Sequence, residues 1–71
     1  MPRLTIALNG RRVTLDDGTT VADVVSLVTE QPEPKGVAVA IDRAVVPRSE
    51  WATTTLRAGA SVEVVTAAAG G

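Results

Sequence analysis

The sequence predicts an α+β fold, in which a mixed sheet of four to five strands is crossed by one helix. Two alternating apolar runs flank Asn9-Gly10, which is the strongest short-range signal for a β-hairpin. One later stretch has the apolar spacing of a helix. The rest of the chain consists of short runs of Val, Ala and Ile between turn residues, as is typical of strands.

The N-terminal hairpin combines two predicted strands, residues 3–8 and residues 11–15. Asn9-Gly10 suits the type I′ turn between them, because both central positions of that turn need a positive φ. Alternation places one set of side chains inward: Leu4, Ile6, Leu8, Val13 and Leu15.

A helix over residues 21–29 is predicted after the turn Asp16-Asp17-Gly18. Thr20 is suited to be its N-cap, and Asp23 follows at the position of a capping-box acid. Because β-branched residues lower helix propensity, this helix must be held by packing against the sheet. Its predicted apolar face consists of Val21, Val24, Val25 and Val28.

The middle of the chain is predicted as a loop followed by two strands. The loop, residues 31–36, contains two prolines, which end the helix. Residues 37–41 alternate Val or Ile with Ala and predict a buried strand. Asp42-Arg43 predicts a short turn, and residues 44–46 predict a short strand that Pro47 ends.

The last part of the chain contains one helical turn at residues 48–51, a turn at residues 57–59 and a closing strand at residues 61–66. A hairpin crossed by one helix, with further strands on the same sheet, is the ubiquitin-like β-grasp arrangement. An α+β sandwich with another strand order is the alternative. We therefore predict a β-grasp domain over residues 1–66 and a flexible C-terminal tail over residues 67–71.

Composition argues against several classes of function. The net charge is −1 and Trp51 is the single aromatic residue, which gives no basic stripe or stacking platform for nucleic acid. No apolar run has the length of a membrane span, and the N-terminus lacks a signal-peptide pattern, so we expect a cytoplasmic protein without membrane contact. Because the chain has no Cys and no His, no side chain can hold a persulfide, and no metal site is expected.

Three features of the sequence resemble the ThiS family, the sulfur carriers of thiamine biosynthesis. The N-terminal feature combines Ala7-Leu8-Asn9-Gly10 with the turn Asp17-Gly18-Thr19-Thr20. The second is the Pro-Arg-x-x-Trp motif within Val46–Trp51, followed by Leu56-Arg57-Ala58-Gly59. The third is a last strand that runs out at Gly70-Gly71. Together they span almost the whole chain.

The resemblance implies that this chain is a protein substrate and not an enzyme. An ATP-dependent activating enzyme similar to ThiF would adenylate the Gly71 carboxylate, and sulfur would displace AMP to leave a thiocarboxylate. A thiazole synthase similar to ThiG would then accept the sulfur. ATP is consumed by the activating partner in this scheme, so no cofactor is expected on the chain itself.

The predicted tail suits such chemistry on physical grounds. Five extended residues beyond Thr66 reach roughly 17 Å, at about 3.4 Å per residue. Gly70 and Gly71 have no Cβ and Ala69 adds little bulk, so the backbone can thread a narrow active site and approach a nucleotide closely.

Partner docking is predicted on the face of the sheet away from the helix. Strand parity places Ala38, Ala40 and Val65 there as small exposed apolar residues. Arg43 and Arg48 could pair with acidic groups of a partner. Scattered exposed apolar residues and solvated arginines are the ordinary alternatives.

Three other functions are compatible with the same pattern. One is the small subunit of molybdopterin synthase, similar to MoaD, although the tail lacks the proline usual in that family. Another is a ubiquitin-like modifier joined to lysines by an isopeptide bond. The third is a β-grasp interaction module without chemistry at its tail.

Overall fold

The structure, a computed structural model, describes residues 2–29 and 36–66. Most of the predicted loop and the whole predicted tail lie outside the described residues. The strands are β1 (Arg3–Leu8), β2 (Arg11–Asp16), β3 (Val37–Ile41), β4 (Ala44–Val45) and β5 (Ser61–Thr66). The helix α1 (Val21–Thr29) follows β2, and a 3₁₀ helix (Arg48–Thr53) follows β4.

The described strands form one five-stranded mixed sheet in the order β2-β1-β5-β3-β4. β1 is antiparallel to β2 and parallel to β5, and β3 is antiparallel to both β4 and β5. With one helix, this sheet confirms the predicted β-grasp fold and not a sandwich of another strand order. The last strand in the chain therefore lies in the middle of the sheet.

The predicted hairpin turn is confirmed, since Asn9 has φ 50 and Gly10 has φ 82. Both values are positive, as a type I′ turn requires. The register pairs Leu8 with Arg11 and continues to Arg3 with Asp16. β2 is therefore one residue longer than predicted, because Asp16 still pairs with β1 before the chain turns.

The bounds predicted for α1 are confirmed, and the helix begins with a reciprocal capping box. The backbone N–H of Thr20 donates to Asp23 Oδ2 at 3.0 Å, and the backbone N–H of Asp23 donates to Thr20 Oγ1 at 3.2 Å. The prediction that Val28 shares the buried face is wrong, because its side chain is 38% exposed. The core covers the first two turns of the helix, and Val28 lies in the last.

The core lies between the sheet and α1, and its side chains are almost all aliphatic. Trp51 is its single ring; it is 6% exposed, and its Nε1–H donates to the backbone carbonyl of Val46 at 2.9 Å. The buried residues are Leu4, Ile6, Leu15, Val21, Val24, Val25, Val39, Trp51, Leu56, Ala60, Val62 and Val64.

Two short elements differ in length from their predictions. β4 ends at Val45 and not at Val46, although the N–H of Val46 still donates to the Val39 carbonyl at 2.8 Å. The predicted helical turn is a 3₁₀ helix that continues to Thr53. No helix in the described ranges is long and apolar enough to cross a membrane.

Candidate functional site

The candidate site begins where β5 ends, at Thr66, the last residue that the structure describes. The predicted reacting group at Gly71 lies outside the described residues, as do Gly70 and Ala69, the residues predicted to thread a partner's active site. Their roles therefore stay predictions. The structure shows how the fold holds the strand that leads to them.

β5 is paired on both sides. On the β3 side, the register runs from Ile41 opposite Val62 to Val37 opposite Thr66. On the β1 side, the N–H of Ala7 donates to the Ala60 carbonyl, and the N–H of Asn9 donates to the Val62 carbonyl, both at 2.9 Å. The first residues of β5 therefore have neighbours on both sides, whereas Val65 and Thr66 pair with β3 alone.

The Asn9 side chain extends this pairing beyond the end of β1. The backbone N–H of Val64 donates to Asn9 Oδ1 at 2.9 Å, and Asn9 Nδ2 donates to the Val64 carbonyl at 3.3 Å. One amide thereby replaces a missing strand residue opposite β5. The sequence predicts Asn9 only as a turn residue, and no local signal indicates a partner 55 positions away.

The face of the sheet opposite α1 carries a small surface over β5, β3 and β4 that is apolar apart from the exposed Glu63. Ala38 lies directly opposite Val65, and Ala40 lies opposite Val45 and also opposite Glu63. We call Ala38, Ala40, Val45 and Val65 the outer-face patch. Val65 is 60% exposed and Val45 is 74% exposed, Ala38 is exposed, and Ala40 is half-buried.

Sequence reasoning missed Val45, the more exposed of the two valines in this patch. The sequence could have indicated Val45 only through the pairing of Val45 with Ala40, and that register depends on the Asp42-Arg43 turn. The part of the same face over β1 and β2 is polar. There the hydroxyls of Thr5 and Thr14 lie 3.3 Å apart.

The role predicted for Arg43 and Arg48, pairing with acidic groups of a partner, stays a prediction. Arg43 is exposed in the turn between β3 and β4, with φ 73. Arg48 lies in the 3₁₀ helix, with its guanidinium carbon 4.8 Å from the centre of the Trp51 ring. Arg48 therefore has a cation–π role within the fold.

The described residues include no group of three or more acidic side chains that could hold a metal ion. In the same part of the chain, no buried side-chain N or O atom lacks a hydrogen-bond partner.

A comparison with family profiles assigns the chain to a family, because the ThiS family profile matches residues 3–71. The chain belongs to the ThiS family. The match covers the folded body and runs through Gly70 and Gly71. Membership of the ThiS family supports a sulfur carrier of thiamine biosynthesis that works with partner enzymes, as the sequence indicates.

The ThiS fold is also found among solved structures. The crystal structure of a thiamine biosynthesis protein (ThiS) from Geobacter metallireducens matches this chain with a TM-score of 0.75 and 24% sequence identity. The match covers 96% of this chain and 100% of that one, so the two share their whole fold. No curated protein matches the chain.

Proposed function

We propose that this ThiS-family protein carries sulfur as a thiocarboxylate on the C-terminal carboxyl group of Gly71. The observation that carries the proposal is a family match that extends to residue 71. Composition supports it, since a chain without Cys cannot carry sulfur as a persulfide on a side chain. The same composition is compatible with a MoaD-like carrier, so the match to the ThiS family is what favours the thiazole carrier over the three alternative functions.

The proposed chemistry has two steps on the chain itself. The Gly71 carboxylate attacks the α-phosphorus of ATP bound to a ThiF-like enzyme, and pyrophosphate leaves. A sulfide-equivalent nucleophile from a partner then attacks the acyl carbon, AMP leaves with the bonding electrons, and a thiocarboxylate remains. A ThiG-like thiazole synthase accepts that sulfur. Adenylation is needed because a carboxylate alone has no adequate leaving group.

The fold supports this role through the position of β5. The tail follows β5, the central strand of the sheet, whose last residues, Val65 and Thr66, pair with β3. Ala69 and Gly70 add little or no side chain ahead of Gly71. A partner can thus take up the terminal residues without unfolding the domain.

Removing Gly71 should abolish adenylation and leave the fold intact, because the deletion lies five residues beyond Thr66. ATP–pyrophosphate exchange with a ThiF-like enzyme measures the first effect, and the thermal midpoint measures the second. Ala68→Ser is the control, since it keeps the tail length and the terminal carboxylate. Full exchange activity without Gly71 would contradict the proposal.

The mass of the protein isolated from its native host distinguishes the carrier from the modifier. Replacement of one terminal oxygen by sulfur supports the carrier, whereas conjugates to lysine support the modifier. Deleting the gene separates the two carrier pathways, because loss of growth without thiamine is expected only for a thiazole carrier.

We place partner docking on the outer-face patch. The patch includes Val65, next to the end of β5, so a bound enzyme would lie close to the start of the tail. Exposed valines on a sheet face provide apolar area that a partner can remove from water. The polar surface over β1 and β2 offers no comparable area.

Val45→Asp should raise the KM for adenylation by about tenfold or more, because docking would bury an unpaired carboxylate. Val45 is 74% exposed in the free protein, so the substitution should change the free energy of unfolding little. Thr14→Asp is the matched control, since it adds the same charge to the same face on the other edge strand. Equal KM values for the two variants would exclude the patch as the docking surface.

A further inference from the structure

Two turn residues hold β5 with their side chains, one near each end of the strand. Asn9 and Asp42 both have a left-handed backbone, with φ 50 and φ 49, in the turns that follow β1 and β3. Asp42 binds the start of β5: its N–H donates to the Ser61 carbonyl at 2.8 Å, and the N–H of Ser61 donates to Asp42 Oδ1 at 3.0 Å. Asn9 binds Val64 near the other end, but with its side-chain amide alone, which accepts from the Val64 N–H and donates to the Val64 carbonyl.

The two contacts differ in what lies beyond them. Past Ser61 the strand continues between β1 and β3. Past Val64, the described part of the chain offers no further partner on the β1 side, because β1 has already ended. Val65 and Thr66 pair with β3 alone. Asn9 is therefore the last contact on one side of β5 before the tail begins.

We infer that Asn9 is a positioning residue for the proposed carboxyl chemistry. Its amide holds the end of β5 in register and so fixes the point and direction from which the tail leaves the domain. This inference rests on the proposed function and deepens it. The residue type is specific, because the amide both accepts from and donates to Val64, while Asn also tolerates a positive φ. An aspartate side chain could only accept a hydrogen bond from Val64, and glycine, which has no side chain, could only form the turn.

Asn9→Gly and Asp42→Gly form a matched pair of variants. Each removes a side-chain contact to β5 at a position with positive φ, where glycine is unstrained. Only the first variant acts at the end of β5 that leads to the tail. The comparison therefore separates positioning of the tail from a general loss of strand pairing.

Amide hydrogen exchange of the isolated protein tests the contact between Asn9 and Val64 without any partner enzyme. In Asn9→Gly, exchange at Val64 should be about tenfold faster, because its N–H loses the Asn9 acceptor, with Ser61 close to wild type. In Asp42→Gly, Ser61 should become faster, with Val64 close to wild type. Unchanged exchange at Val64 in Asn9→Gly overturns the inference.

Steady-state adenylation by a ThiF-like enzyme tests whether the contact between Asn9 and Val64 contributes to the reaction. The kcat/KM of Asn9→Gly should fall by about five- to tenfold, and that of Asp42→Gly should stay near wild type. Equal losses in the two variants would mean that Asn9 is merely structural, which overturns the positioning role. Failure of the proposed function is recognised differently, because wild-type protein itself would then not be adenylated.

Discussion

At the scale of single residues, Trp51 is the one aromatic side chain of the core. Its ring is 6% exposed among side chains that are otherwise aliphatic, and its indole N–H is bonded to the Val46 carbonyl. Arg48 covers the ring from outside. The Trp51 side chain therefore contributes packing, one hydrogen bond and one cation–π contact.

Trp51→Ala should lower the free energy of unfolding by about 3–5 kcal/mol, because it leaves a large cavity. A domain of this length is stable by only about 4–10 kcal/mol, so the variant should be close to unfolded. Urea denaturation followed by far-UV circular dichroism measures the loss.

Trp51→Phe is the control for this prediction. It keeps an aromatic ring in the core but removes the hydrogen bond to Val46, so the loss should be intermediate. If the alanine variant unfolds at the wild-type urea concentration, the ring does not contribute to the core as the structure indicates.

Of the two roles of Asn9, the sequence predicts the turn but not the contact with Val64. The dipeptide Asn9-Gly10 predicts the turn, because the backbone conformation there is a local property. The contact of its amide with Val64 is not local, since it exists only when β5 lies parallel to β1. No spacing along the chain carries that information.

At the scale of elements, the sequence predicts α1 with its bounds and its cap. Local chemistry explains this success, because Thr20 and Asp23 satisfy each other's backbone N–H groups within a single turn. The predicted burial of Val28 is wrong, because periodicity defines a helix face but does not say how far along the helix the sheet reaches.

Thr20→Ala should lower the free energy of unfolding by about 1 kcal/mol, since the N–H of Asp23 would lose its side-chain acceptor. Thermal unfolding monitored by far-UV circular dichroism measures the change. Ser26→Ala is the control on an exposed position of the same helix and should change stability by less than about 0.5 kcal/mol. A cost as large for Ser26 as for Thr20 would contradict a specific role of the cap.

The short elements around Pro47 are predicted in position but not in length. Proline marks the end of β4, yet the strand ends one residue earlier than expected. The reason is that Val46 turns its carbonyl toward the Trp51 indole while its N–H stays bonded to Val39. Burial of the ring therefore determines where the pairing stops, and burial is a tertiary property.

At the scale of the whole molecule, the sequence predicts the element order and the fold class. It does not specify every contact between strands. The outer-face patch illustrates the difference, since parity predicts Ala38, Ala40 and Val65, but Val45 joins them only through the register of β4. The predicted function depends on the family pattern along the whole chain, which the match over residues 3–71 confirms as that of the ThiS family.

The central place of β5 has a mechanical consequence. A partner enzyme that draws on the C-terminal end applies its force along a strand flanked by β1 and β3. Because β1 runs parallel to β5, traction between the two ends of the protein loads the bonds between them in shear, all together, and cannot open them one by one. Tension between the two ends therefore meets more resistance at β5 than it would at an edge strand whose bonds open one after another.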